Sequence, residues 1–118
     1  MTDAVNSGTR YRWQRAAHTV LADLLRDGAA HDLPPLTWTL DPGGSLAGEA
    51  DSSTYTPAEQ RAAVQAWADH IGTIVESHPM IGRREQLYAG WTVVDTAVTG
   101  SIRATLLTAE LRPPAEAP

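Results

Sequence analysis

The chain has no cysteine, and all nine of its basic residues are arginine. Without cysteine there is no disulfide framework, no thiolate nucleophile and no thiolate-held zinc or iron–sulfur centre. Without lysine there is no phosphate-loop lysine and no Schiff base. The arginine usage, with abundant Ala and Pro, fits a GC-rich bacterial genome. Long apolar runs are also missing: none approaches the roughly 20 residues of a membrane span, and Met1 to Gly8 lacks the basic and apolar parts of a secretory signal. The expected compartment is the cytoplasm. Net positive charge is absent too. At a formal −5 the summed field repels polyanions, which argues against general nucleic-acid binding.

What is present suits one domain. A chain of 118 residues buries roughly two thirds of its unfolded surface, enough for a single core, and 42% apolar content lies in the globular range. Four tryptophans stand out, Trp13, Trp38, Trp67 and Trp91. Between Thr9 and Asp27, Trp13, Ala17, Val20, Leu21 and Leu24 keep helical spacing, and Gly28 is a natural stop. After the Pro-bounded linker Ala29 to Pro35 the period changes to two. Leu36, Trp38 and Leu40 alternate with Thr37 and Thr39, Asp41-Pro42-Gly43-Gly44 supplies a turn, and Ser45 to Ala50 return as a second strand.

Thr56-Pro57-Ala58-Glu59 combines a capping box with proline at the first helical position, so a second helix starts there and carries Val64, Trp67, Ala68 and Ile71 on one stripe. Gly72 either ends this helix, leaving Thr73 to Val75 extended, or lies inside it. His78 to Arg84 reads as a loop. Leu87, Ala89, Trp91 and Val93 then alternate, Asp95 to Gly100 turns, and Ile102, Ala104, Leu106 and Thr108 form a last inner row. The expected fold is an α+β two-layer sandwich in the order α-β-β-α-β-β, with a four-stranded antiparallel sheet and both helices on one face. Residues 1–8 and 113–118 read as disordered tails around a single domain, 9–112. The separations Trp13 to Trp67 and Trp38 to Trp91, 54 and 53 residues, suggest a doubled α-β-β unit.

Sites for chemistry are sparse. His70 and His78 are eight apart, about 12 Å on a continuous helix, and cannot share an ion there. His18 has no ligand at helical spacing, and His31-Asp32 reads as a polar turn. No metal or cofactor is therefore expected. Gly43-Gly44-Ser45-Leu46-Ala47 lacks both the second glycine and the strand-to-helix setting of a nucleophile elbow. Glu49, Asp51, Glu76, Glu85 and Asp95 are scattered, and no catalytic residue is assigned. Arg10-Tyr11-Arg12-Trp13-Gln14-Arg15 interleaves arginines with aromatics, yet Trp13 turns inward in the helical phase and leaves the arginines solvated.

Two readings of function follow. In the first, the outer sheet face, with Thr37, Thr39, Tyr88, Thr92, Val94, Thr105 and Leu107, or a strand edge, binds a protein partner or a second copy. This makes the chain a non-catalytic interaction module, adaptor- or chaperone-like. In the second, Trp13, Trp38, Trp67, Trp91 and His70 line a pocket between helices and sheet that binds a small molecule or houses a small enzyme. In size, charge and layer order the chain is similar to chaperones that hold secreted proteins and to small immunity-type binding proteins. That likeness covers no motif and carries over no residue.

Overall fold

The computed structural model describes residues 6–94, 96 and 98–107. Helix α1 spans Ser7–Ala30 and α2 spans Pro57–Ile71. The strands are β1 (Thr37–Leu40), β2 (Ser45–Glu49), β3 (Glu76–Met80), β4 (Arg84–Thr92) and β5 (Thr99–Leu107). Asn6 caps α1 by accepting from Thr9 N–H at 2.8 Å, and the helix runs through Gly28 to Ala30 rather than stopping at the glycine. At α2 the capping box is complete, with the Thr56 side chain accepting from Glu59 N–H and the Glu59 carboxylate from Thr56 N–H. Gly72 closes that helix in the left-handed region at φ 91°. After Thr73, Ile74 and Val75 the strand β3 begins. In the first turn the left-handed position is Gly44, and the Asp41 carboxylate accepts from Gly43 and Ser45 N–H.

The sheet differs from the four-stranded antiparallel one the periodicity predicts. Among the described residues it has five strands in the order β1-β2-β5-β4-β3, and the pair β2 with β5 is parallel. The extra strand is β3, in the stretch whose second half reads as a loop. Every residue of Glu-Ser-His-Pro-Met is exposed, so no alternation of burial marks it, and a proline is tolerated in an edge strand. The parallel pair also removes the doubled unit. Two α-β-β copies related by an axis normal to the sheet would set β2 and β5 antiparallel. Alternation along a strand specifies its faces and says nothing about which hairpin edge meets which.

Both helices cover one face. The core beneath α2 joins Val64, Trp67 and Ala68 to Leu87, Ala89, Ile102, Ala104 and Leu106, and a smaller cluster under α1 joins Ala17 to Leu46 and Val98. The inner rows of β4 and β5 match the sequence phase as far as Leu106. Thr108, Asp95 and the expected tail at 113–118 lie outside the described residues, whereas Ser7 and Gly8, expected in a tail, belong to α1. Val94 sits past the end of β4 and is 80% exposed.

Candidate functional site

Each tryptophan lies against a glycine. A Cβ added at Gly28 would stand 2.8 Å from the Trp67 ring, one at Gly48 2.9 Å from Trp38, and one at Gly44 3.3 Å from Trp13, while Gly100 lies directly under Trp91. Trp38 meets Trp67 edge-on at 5.5 Å, and Trp67 meets His70 edge-on at 6.2 Å. Trp67 is buried, and its indole N–H donates to Pro34 C=O at 2.7 Å. Of the five residues proposed to line an inter-layer pocket, three thus touch in series. Trp91 packs against the same core cluster from β4, while Trp13 lies apart beside Gly44.

The histidines take an arrangement that spacing along one helix does not reveal. His31, at the end of α1, and His70, in the last turn of α2, have ring centroids 5.0 Å apart. His31 Nδ1 lies 2.9 Å from Asp27 C=O, which only accepts, so this nitrogen carries the proton. The His70 Nε2 to Asp27 carboxylate distance is 3.8 Å. Among the described residues no group of three or more His, Asp or Glu is arranged to hold a metal ion. On the helix side of the sheet Glu85 receives the Arg61 guanidinium at 2.5 Å and the Ser77 hydroxyl. These two hydrogen bonds, the arginine first, hold its carboxyl below the ordinary carboxylate range.

The outer face carries the residues the alternation assigned to it, except Val94. The strand registers order it into rows. One row runs Glu76, Tyr88, Arg103, Glu49, Thr37, and the next Gly90, Ser101, Ala47, Thr39. Tyr88 lies along the sheet over Gly90, with its hydroxyl 2.9 Å from where a glycine Cβ would be. Beside it Ser101, Thr99, Thr92 and Ser45 border a shallow trough of about 420 Å³. Arg103 and Glu49 are register neighbours of opposite charge, and neither has an ion pair among the described residues. Leu107 lies two rows from Tyr88, beside Arg84, so the apolar side chains of this face are separated by polar ones. It is a hydroxyl-rich, charged surface.

No family model, curated protein or solved structure matches the chain. Among the described residues no helix is long and apolar enough to cross a membrane.

One residue that the sequence reading passed over is Gln60. It is 1% exposed, and its side-chain amide donates to Ala50 C=O at 2.9 Å and Thr105 C=O at 3.1 Å. It sits where β2 parts from β5. Gln60 stands four residues before Val64, on the apolar stripe of α2 itself, so the helical phase points it toward the sheet; its polar side chain masked that signal of burial.

Proposed function

We propose that the protein is a non-catalytic protein-interaction module, adaptor- or chaperone-like, that takes its partner on the outer face of the sheet, with a second copy of itself as the first partner. The observation that carries this reading is the exposed row Tyr88, Arg103, Glu49, in which opposite charges stand side by side with no ion pair among the described residues. A two-fold axis running between β2 and β5, parallel to the strands, sets Arg103 of each copy against Glu49 of the other. That contact is isologous and closes at a dimer. Two such faces stack about 10 Å apart, as packed sheets do.

The rival reading, a small-molecule binder or enzyme with a pocket between the layers, has less support. The rings of Trp38, Trp67 and Trp91 each rest on a glycine and pack in or against the core beneath α2, and the Trp67 N–H already has an acceptor. A cysteine-free chain suits the cytoplasm, where we place the protein. Sedimentation equilibrium tests the reading. A dimer at micromolar concentration that becomes a monomer in Tyr88→Glu is expected. A wild-type chain that stays monomeric at the highest attainable concentration counts against it.

A further inference from the structure

β5 outruns its parallel neighbour. The register of β2 with β5 ends at Glu49↔Arg103, and the last ladder bond, Ala50 N–H to Arg103 C=O, measures 3.0 Å, whereas β5 continues to Leu107. The N–H and C=O of one strand residue point to the same side, and the side alternates along the chain. Since Arg103 C=O faces β2, the backbone groups of Thr105 and Leu107 face that way too, where none of the described residues forms a strand. The Gln60 amide occupies the first position of the missing strand by bridging Ala50 C=O and Thr105 C=O.

Two features of this fork need partners. Thr105 and Leu107 border a hollow of about 680 Å³ whose far wall is the segment Ser52 to Tyr55 and the start of α2. Gln60 lines the same hollow, and its Oε1, although buried, has no donor among the described residues. Turning the amide over gives no remedy, because Oε1 would then face two carbonyl oxygens. Buried acceptors are nearly always partnered, so a donor belongs here. Arg84 and Glu49 also border the hollow, so its charged lining is of both signs, and the start of α2 offers an anion only the Ala58 N–H. Thr56 N–H is taken by Glu59, Glu59 N–H by Thr56, Gln60 N–H by Thr56 C=O, and Pro57 has none. What the hollow offers is strand-type: alternating backbone N–H and C=O beside a side-chain carbonyl.

We infer that the hollow receives an extended peptide segment of a partner protein, which lies beside residues 105–107 of β5 as a short added strand. One peptide N–H meets Gln60 Oε1, and a peptide C=O and N–H meet the N–H and C=O of Leu107. Main-chain pairing supplies the affinity, as in other strand additions. This inference rests on the reading of the chain as a protein-binding module, yet the two fail separately. Loss of peptide binding with self-association through Arg103 and Glu49 intact removes the edge site alone.

The test uses the full chain, panned against a random dodecapeptide phage library, with enriched peptides synthesised and titrated into ¹⁵N-labelled protein. Amide shifts at Ser53, Thr105, Leu107 and the Gln60 side chain are expected. N-methylation of alternate peptide residues and Leu107→Pro should each weaken binding at least tenfold, with circular dichroism confirming that the variant folds. The inference is overturned if no peptide is enriched, if the shifts fall on Tyr88 and Ser101, or if N-methylation or Leu107→Pro leaves affinity unchanged. Nuclear Overhauser contacts from residues 108–118 to Ser52–Tyr55 in the free chain would also overturn it, because the chain's own end would then fill the hollow.

Discussion

The ring of Trp67 rests on Gly28, so close that a Cβ there would stand 2.8 Å from its far edge. The pair joins the end of α1 to the middle of α2. Trp67 cannot retreat easily, since its N–H is held by Pro34 C=O and its ring abuts Trp38.

Gly28→Ala sets two effects against each other. In a helix interior alanine is favoured over glycine by about 1 kcal/mol. Overpacking a closed site costs about 1–3 kcal/mol. The anchored ring decides the sign, and Gly28→Ala is expected to be destabilising. Urea denaturation followed by tryptophan fluorescence measures this, and a variant more stable than wild type would mean that the ring shifts freely.

Gln60→Leu keeps an apolar body in the core and removes both donors at the fork. Ala50 C=O and Thr105 C=O lose a partner, at about 1–3 kcal/mol for a buried group left unsatisfied. Gln60→Glu should be no better, because an ionised carboxylate only accepts. Denaturant midpoints of both variants should fall below wild type with unchanged slope. Amide exchange should quicken at Arg103, the last residue of β5 in register with β2.

The Arg61–Glu85 pair gives a pH-dependent contribution. Hydrogen bonds from Arg61 and Ser77 lower the Glu85 pKa in the folded chain. The contribution is therefore fully present above the unfolded carboxyl value, near 4.3, and is lost as pH falls through the folded value. Arg61, raised by the same contact, stays protonated throughout this range. The guanidinium is half exposed, so the pair is worth about 0.2–1 kcal/mol. The stability difference between wild type and Glu85→Gln should be of this size at pH 7 and shrink below about pH 4.3.

Much of this fold is legible in the sequence wherever burial alternates with a period. The capping box at Thr56, the hairpin around Asp41-Pro42, and the inner rows of β4 and β5 all carry local signals. β3 carries none, because an edge strand exposed on both faces need not alternate. Nor does the parallel contact of β2 with β5, which joins residues some 54 apart through a choice of edges. The same limit applies to function. The phase of the strands gives the outer face, Arg103 and Glu49 included, but their neighbourhood depends on that parallel register. Glycines under the tryptophans, read singly, look like helix stops or turn formers. Only the fold shows Gly28, Gly48 and Gly100 as seats for the rings of Trp67, Trp38 and Trp91.

The outer-face interface is tested most directly by charge exchange. Arg103→Glu alone sets two carboxylates against each other across the two-fold axis, and Glu49→Arg alone sets two guanidinium groups together. Each single variant should sediment as a monomer. An equimolar mixture restores opposite charges at both contacts, and it should form heterodimers as stable as the wild-type dimer. Single variants that dimerise as wild type does, or a mixture that stays monomeric, would contradict the assignment of this face as the interface.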